Sequence, residues 1–246
     1  MIMTYIFAFM MFACIGSFIG VCIQRIPQGE QIWKGRSHCD TCGKALKPFE
    51  LIPIFSYLCL RGRCSKCKSK ISITNIAIEF ITATLGTLCL IVYGLTVQGI
   101  AYGLVTCVLI EVAFVDQKIM EISDFANLMI AAVGIVLMIC NGTYLSSLIG
   151  LVCVSLPFLV FVLCRAMGMG DVKLMAAVGI LLGWKGVLLA AFIGIVAGCI
   201  AALALKIANK KSWKSEMAFG PYLCIGAYVS MLFGDQMISL YLSLLQ

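Results

Sequence analysis

The residues of this chain most suited to chemistry are carboxylates set in strongly apolar sequence. Asp171 belongs to residues 168–173, with the sequence GMGDVK, which open a long apolar run. A charged group at membrane depth is costly, so an acid in such a run indicates a functional site. Gly168 and Gly170 allow the backbone to approach another chain closely, which suits a carboxylate that acts on a peptide bond. The alternative is a structural helix start, with Asp171 as the N-cap residue.

Peptide hydrolysis by carboxylates requires a second acid, because one group activates water and the other donates a proton. Asp116 and Asp124 flank a short polar patch between two apolar runs. Either of them could face Asp171 from a neighbouring helix end, and spacing alone does not choose between them. Lys118 and Lys173 are placed to tune the acids or to hold a substrate, or else they are interface lysines that extend to water.

A second chemical signal comes from four cysteines in two C-x-x-C pairs, separated by 21 residues: Cys39, Cys42, Cys64 and Cys67. This spacing is typical of a zinc site with four thiolate ligands. Disulfides are disfavoured in a reducing compartment, so we predict bound zinc, the alternative being free or redox-active cysteines. His38 is the only histidine, and it is an alternative ligand, a neighbour of the site or a loop residue. A single histidine argues against Ser-His-Asp, Cys-His and H-E-x-x-H hydrolases.

Composition indicates how these residues are held. The chain of 246 residues is 62% hydrophobic and 12% charged, which is typical of an integral membrane protein. Eight apolar runs are candidate spans: residues 2–23, 75–95, 97–115, 125–141, 144–164, 172–184, 186–206 and 217–240. We therefore predict an all-α polytopic membrane protein with about eight transmembrane helices. A small cytoplasmic zinc-knuckle loop, residues 24–73, joins the first two spans, and no clear internal repeat is visible.

The distribution of basic residues predicts the orientation in the membrane. Between Arg25 and Lys70 the chain has ten Lys or Arg residues and three acids. A second basic cluster precedes the last span: Lys206, Lys210, Lys211 and Lys214. The positive-inside rule places both regions in the cytoplasm, with the N-terminus outside and Asp116 and Asp171 near cytoplasmic helix ends. The net charge of +7 thus reflects topology and anionic lipid, and no nucleic-acid-binding module accompanies it.

Several motifs occur in an order and spacing that resemble bacterial type IV prepilin peptidases over nearly the whole chain. The N-terminal motifs are Gly16-Ser17-Phe18 with Val21, Arg25 and Pro27, then the two C-x-x-C pairs with Pro53, Ser56, Tyr57, Leu58, Arg61, Gly62 and Arg63 between them. The later motifs are Asp116 with Asp124 eight residues on, the GMGDVK segment, and Phe219-Gly220-Pro221.

The resemblance implies a bifunctional membrane enzyme of the aspartyl type. Such enzymes cleave the basic leader from type IV prepilins and pseudopilins at the cytoplasmic face of the bacterial cytoplasmic membrane, and then N-methylate the new N-terminus from S-adenosylmethionine. In this family the first catalytic Asp stands eight residues before a second Asp, which selects Asp116. The other is the Asp of the glycine motif, here Asp171, supported by Gly168, Gly170 and Lys173. Two neighbouring carboxylates would share one proton, because both cannot ionise cheaply.

The methyltransferase activity implied by the resemblance lacks a familiar cofactor motif. The chain has no Rossmann G-x-G-x-x-G, so a site for S-adenosylmethionine must be built in the N-terminal part. We assign Gly16, Arg25 and Glu79 to it. The alternatives are a positive-inside anchor for Arg25 and a helix-start charge for Glu79.

Two domains are expected: residues 1–95, with the zinc-binding loop associated with methyl transfer, and residues 96–246, an aspartyl peptidase embedded in the membrane. A different class of protein would also explain buried carboxylates, namely a cation- or proton-coupled transporter with a cytoplasmic zinc knuckle. A third possibility is a structural scaffold, which would tolerate Asp→Asn changes at Asp116 and Asp171. Neither alternative explains the order of motifs along the chain.

Overall fold

The computed structural model describes residues 2–31, 37–39, 41–165, 167–207 and 217–244. Within these ranges the chain is helical with connecting turns, and its only β-structure is two isolated bridges, His38 to Ala45 and Arg63 to Lys70. The predicted all-α class is confirmed. Three lysines of the predicted second basic cluster lie outside the described residues: Lys210, Lys211 and Lys214.

Nine α-helices follow one another in the described parts of the chain: α1 Ile2–Arg25, α2 Phe55–Cys59, α3 Ile73–Tyr93, α4 Val97–Ile119, α5 Asp124–Asn141, α6 Tyr144–Cys153, α7 Ser155–Leu163, α8 Met169–Ile207 and α9 Gly220–Leu244. Two short 3-10 helices, Ile26–Gln28 and Pro48–Leu51, lie in the loop between α1 and α3. The helices α1 and α3 thus flank the predicted zinc-knuckle loop.

Seven helical stretches among the described residues are long and apolar enough to cross a membrane. Five of the eight predicted runs correspond to single helices, and the run 144–164 forms α6 and α7, which are separated at Val154. The predicted sixth and seventh runs form the two parts of α8, which are separate helical segments joined at Gly183, where the backbone is not helical. Gly183 has φ 70°, in the left-handed region that glycine adopts without a side-chain clash. The polytopic membrane architecture is confirmed.

The chain forms two compact units, Met1–Cys107 and Val108–Gln246. In the first unit, α1 packs closely against α3. A Cβ atom added at Gly16 of α1 would lie 3.0 Å from the Glu79 Cα atom of α3. Small residues permit such close packing where no hydrophobic effect drives helix association. The predicted domain boundary after residue 95 stays a prediction.

In the second unit, α8 is central and packs against α5, α6, α7 and α9. Glycines form several of these contacts. A Cβ added at Gly150 of α6 would collide with the backbone of Gly179 on α8, and one at Gly134 of α5 would lie 2.9 Å from the Leu181 nitrogen. This packing fixes α8, and therefore its N-terminal turn with Asp171, among its neighbours.

Candidate active site and metal centre

Asp171 lies in the first turn of α8, which begins two residues earlier at Met169. The start of the helix is therefore near Asp171, as the structural alternative supposed, but Asp171 is not the N-cap residue. Its side chain is buried, with 8% of the residue exposed, and its carboxylate accepts a hydrogen bond from the backbone of Gly168. This return of an acidic side chain to the residue before the helix resembles a capping box.

The second glycine of the motif allows a close contact. A Cβ atom added at Gly170 would lie 3.0 Å from the Cβ of Ile122, in the connection between α4 and α5. At Gly168 the nearest atom to an added Cβ would be the Asp171 Oδ2, at an ordinary 3.7 Å. Gly170 thus lets the start of α8 approach this connection, whereas Gly168 supplies a backbone donor.

Asp116 lies one turn before the end of α4 and is 5% exposed. Its Oδ2 atom accepts a hydrogen bond of 3.0 Å from the backbone nitrogen of Gly220, the first residue of α9. A Cβ atom at Gly220 would lie only 2.7 Å from the same oxygen. Pro221 follows in the first turn of α9, where its missing N–H leaves no helical bond unmade. Gly220 of the Phe219-Gly220-Pro221 motif therefore holds Asp116 at the start of α9.

The Asp116 and Asp171 carboxylates lie close enough to interact electrostatically. Cys224, a buried residue of α9, interacts with both of them. Sequence reasoning treated Cys224 as a small apolar residue of a span. Its position one helical turn beyond Gly220 was the only signal that it lies beside the acids. The site is thus formed where α4 ends and where α8 and α9 begin.

Asp124 occupies a different environment. It lies in the first turn of α5, and its exposed carboxylate pairs with the Lys173 ammonium at 2.7 Å, with side-chain exposures of 76% and 48% respectively. Exposed ion pairs of this kind contribute about 0–1 kcal/mol. Asp116 is therefore the acid that the structure buries with Asp171, and Lys173 is bonded to Asp124.

Sequence reasoning also missed Asn127, three residues after Asp124 on α5. Its side chain is buried, and neither its amide nitrogen nor its amide oxygen has a hydrogen-bond partner among the described residues. Burying an amide without partners costs about 1–3 kcal/mol. The presence of an asparagine within an apolar stretch was therefore the signal in the sequence that could have singled out this residue.

The four predicted metal ligands come together. The sulfur atoms of Cys39, Cys42, Cys64 and Cys67 all lie within 4.8 Å of one another. Zinc–sulfur bonds of about 2.3 Å in a tetrahedral site separate the sulfurs by about 3.8 Å. The distance between the Cys39 and Cys67 sulfurs is 3.8 Å. The residues present therefore fit a tetrahedral four-thiolate metal site, and His38 is not needed for it.

The two C-x-x-C segments, called here the first knuckle (Cys39 and Cys42) and the second knuckle (Cys64 and Cys67), have the same backbone hydrogen bonds at positions 25 residues apart. In the first, the Gly43 nitrogen donates to the Cys39 oxygen and the Cys39 nitrogen donates to the Lys44 oxygen. In the second, Lys68 and Ser69 replace Gly43 and Lys44 in the same bonds with Cys64. Gly43 and Lys68 both have left-handed backbones, with φ of 64° and 60°. The two segments thus share a backbone pattern that no clear repeat in the sequence accompanies.

The surroundings of the four sulfurs give the cysteines of the cluster different pKa values. The backbones of Cys42 and Thr41 donate to the Cys39 sulfur and lower the pKa of Cys39 to about 6. At Cys42 the backbone hydrogen bond of Lys44 stabilises the thiolate, but burial and the neighbouring sulfurs outweigh it and raise the pKa of Cys42 to about 11. Four adjacent sulfurs do not ionise equally by themselves, so the full thiolate set suits a divalent cation.

A side-chain cluster joins the two knuckles independently of the sulfurs. Lys44 of the first knuckle donates to Glu50 Oε1 at 2.7 Å and to Ser65 Oγ of the second knuckle at 2.5 Å. Ser65 also donates to Glu50. The hydrogen bond from Lys44 holds the pKa of Glu50 at about 2, well below its ordinary value. The ionised cluster thus holds the knuckles together.

Of the three residues assigned to methyl transfer, Gly16 and Glu79 are adjacent. The packing of α1 on α3 fills the space around Gly16, so no room for a ligand remains there. The Glu79 Oε2 atom accepts a hydrogen bond of 2.8 Å from the Ile54 nitrogen, and Glu79 lies beyond the first turn of α3, so it is not a helix-start charge. Arg25 ends α1, about 13 Å along the helix from Gly16, and donates to the Gln31 oxygen at 3.2 Å.

These features define a polytopic membrane protein with two buried acids at adjoining helix ends and, in a loop, a four-cysteine cluster that could hold a metal ion. Two family models match the chain: "Bacterial Peptidase A24 N-terminal domain" over residues 10–93 and "Type IV leader peptidase family" over residues 103–203. The acids and the GMGDVK segment lie in the second match, and the four cysteines lie in the first. No solved structure matches this chain.

Curated relatives agree with the family models. A prepilin leader peptidase/N-methyltransferase of Legionella pneumophila is 30% identical over 221 residues, which cover 84% of this chain and 75% of the relative. Proteins with the same name from Pseudomonas aeruginosa (29% identical, 93% and 90% covered) and Bacillus subtilis (29% identical, 94% of each covered) are also similar.

The chain belongs to the type IV prepilin leader peptidase/N-methyltransferase family. This membership confirms the family suggested by the motifs, and it confirms an aspartic-type membrane peptidase as the enzyme class. It also supports a multi-pass protein of the inner membrane. The transporter alternative is not supported, because the family models cover both the metal loop and the two acids.

Proposed function

We propose that this protein removes the leader peptide from type IV prepilins or pseudopilins with Asp116 and Asp171 as its catalytic pair. One carboxylate takes a proton from water, which attacks the carbonyl carbon of the scissile bond, and the other carboxyl gives its proton to the leaving nitrogen. The observation that carries the proposal is the burial of these two acids together at the ends of α4 and α8.

The membrane position of the acids supports this substrate class. Asp116 lies near the end of one span and Asp171 at the beginning of another, so both lie near one surface of the bilayer. A prepilin has a polar leader followed by an apolar helix, which puts its scissile bond at that depth. The ten basic residues between Arg25 and Lys70 favour the cytoplasmic side for this surface, with the N-terminus outside.

The four cysteines would hold a structural zinc ion. A site with four protein thiolates leaves no open position for substrate, so its contribution is to fold the loop. The two knuckles would each supply two ligands, and they are joined to each other by the Lys44–Glu50–Ser65 cluster. We expect the loop to depend on zinc and the peptidase pair to contain none.

The second activity would be N-methylation of the new N-terminus with S-adenosylmethionine as the methyl donor. Among the residues assigned to it, Glu79 is best placed to meet a ligand, because its half-buried carboxylate has one oxygen bonded to Ile54. Gly16 contributes by allowing α1 to approach Glu79. Arg25 would act at the loop end of α1.

Mass spectrometry of a prepilin-like substrate tests both activities. The purified protein is incubated with substrate and S-adenosylmethionine beside Asp116→Asn, Asp171→Asn and the exposed control Asp124→Asn. We expect the first two changes to slow leader removal by about 10²- to 10⁴-fold, and the control to cleave normally. Persistent cleavage in either of the first two variants would refute the catalytic pair.

The same assay separates the two activities. Glu79→Gln is expected to leave cleavage intact and to abolish the added methyl mass on the product. Methylation at the parental rate in this variant would remove Glu79 from the proposed methyl-transfer site.

A further inference from the structure

A group of large apolar side chains lies outside the membrane-spanning helices, between the two knuckles. The linker segment, residues 48–59, contains the short helix Pro48–Leu51 and α2. Five of its apolar side chains are exposed, among them Phe49 at 73% and Leu58 at 62%; the others are Leu51, Ile52 and Phe55. Exposed apolar clusters of this kind mark interaction surfaces.

The position of the linker segment relative to α3 is fixed by a hydrogen bond. The Ile54 nitrogen donates to Glu79 Oε2 at 2.8 Å, and Glu79 lies about 9 Å along α3 from Ile73. With 21 residues, α3 is about 31 Å long, which is close to the hydrocarbon thickness of a bilayer. The linker segment is therefore held about 9 Å from the loop end of α3, which is within the depth at which interfacial segments insert, and the residue after Glu79 is the exposed Phe80.

The second knuckle also holds the linker segment. The Gly62 nitrogen donates to the Tyr57 oxygen at 2.9 Å, and a Cβ atom at Gly62 would lie 2.8 Å from the Tyr57 hydroxyl. The segment is thus attached to α3 at one point and to the metal loop at another. Its apolar side chains cannot move away from the membrane surface without breaking these contacts.

The charges that flank the linker segment suit anionic lipid. From Lys47 to Lys70 the chain has six basic residues and one acid, Glu50. That acid is already paired with Lys44. Basic residues near a membrane surface are attracted to anionic headgroups, so the surroundings of the segment favour a lipid surface.

We propose that the linker segment is an interfacial membrane-binding element. Its apolar side chains, led by Phe49, Phe55 and Leu58, insert among the headgroups and the first acyl carbons of the bilayer around α3. The basic residues next to the segment, Lys47, Arg61 and Arg63, contact anionic headgroups. Interfacial segments combine apolar insertion with basic residues in this way. The insertion holds both zinc knuckles against the membrane. The proposal does not depend on cleavage or methylation.

Quenching of tryptophan fluorescence by brominated lipid tests the insertion. The three native tryptophans are first replaced by phenylalanine: Trp33, Trp184 and Trp213. One indole is then introduced by Phe55→Trp in the segment, by Phe80→Trp on the lipid-exposed side of α3, or by Lys66→Trp on the second knuckle. Each full-length protein is reconstituted in bilayers whose anionic and zwitterionic lipids carry bromine on the acyl carbons nearest the headgroup.

We expect the Phe55→Trp protein to be quenched at least about half as strongly as the Phe80→Trp protein, and about threefold more than the Lys66→Trp protein. Quenching at the level of Lys66→Trp would overturn the proposal. If the Phe55→Trp emission then changed only on adding a peptide with the apolar helix of a prepilin, the segment would be a substrate surface instead. Leu58→Trp repeats the measurement should Phe55→Trp not yield folded protein, and its quenching is judged by the same limits.

Discussion

Replacing Gly220 with alanine should disable the acid pair without touching either carboxylate. The Gly220 nitrogen donates to Asp116 Oδ2 at 3.0 Å, and a Cβ atom there would lie 2.7 Å from the same oxygen and 3.0 Å from the carboxyl carbon. Ordinary carbon contacts begin near 3.4 Å, so the carboxylate must retreat by about 0.7 Å. The hydrogen bond would then exceed about 3.5 Å and be lost.

The size of the effect follows from that displacement. A hydrogen bond to a charged group contributes about 1.5–3 kcal/mol, which corresponds to about a 10- to 150-fold change in rate. A misplacement approaching 1 Å at a reacting group has a similar cost of about 10²-fold. The two effects have the same origin and are not added. We therefore expect kcat/KM for leader removal to fall about 10²-fold in Gly220→Ala.

The assay is the initial rate of leader removal from a prepilin-like substrate in bilayers. Gly20→Ala is the matched control, because a Cβ atom at Gly20 of α1 meets no atom within 4 Å. Metal content of the purified protein shows whether the loop is unaffected. If Gly220→Ala cleaves within about threefold of the parent, the contact between α9 and Asp116 does not position the acid, and the reasoning is wrong.

Three further predictions concern separate parts of the molecule. The Ser69 hydroxyl lies 3.0 Å from the Cys67 sulfur, where it can orient this predicted zinc ligand. Ser69→Ala should therefore weaken zinc binding about 10- to 100-fold in a chelator competition, and unchanged affinity would contradict this role. Asn127→Leu should raise the free energy of unfolding by about 1–3 kcal/mol, because it removes a buried amide without partners; a destabilised variant would show that the amide is bonded. Lys173→Gln should change the free energy of unfolding by less than about 1 kcal/mol, because the ion pair with Asp124 is exposed. Denaturant titrations measure this free energy, and a larger loss would contradict a surface pair.

The clustering of the four cysteines was the part most readily predicted from the sequence. The spacing of the cysteines identified all four residues, since two C-x-x-C turns can place four sulfurs around one ion whatever lies between them. The structural similarity of the two knuckles was not predicted, because it lies in backbone hydrogen bonds and not in the types of residue. Lys68 takes the left-handed conformation that Gly43 takes in the first knuckle, and no similarity of residue type reveals this.

Hydropathy predicted the helices but not every interruption within them. The runs 172–184 and 186–206 were predicted as separate spans, and α8 is interrupted between them at Gly183, where the backbone is not helical. The run 144–164 appeared continuous, whereas Val154 separates α6 from α7. Apolar content reports which segments are buried in lipid, but the path of the backbone within a segment depends on packing against neighbours.

The choice between Asp116 and Asp124 shows the limit of spacing for a site made from distant segments. Both acids are near the ends of spans, and the sequence assigned Asp116 only through the family resemblance. In the structure Asp124 is exposed and paired with Lys173, whereas Asp116 is buried against Gly220, more than a hundred residues later. Which acid is buried depends on where α9 begins, and no local pattern reports that.

The positions of the two acids also explain how charge is tolerated at membrane depth. Each carboxylate accepts a hydrogen bond from a glycine at the start of a helix, Asp116 from Gly220 of α9 and Asp171 from Gly168 before α8. The first N–H groups of a helix have no partner within it and form its positive end. The acids therefore receive donors that would otherwise be unsatisfied, and at Gly220 the missing Cβ atom also leaves room for the Asp116 carboxylate. The two glycines therefore hold the acid pair in place together with the packing of the helices.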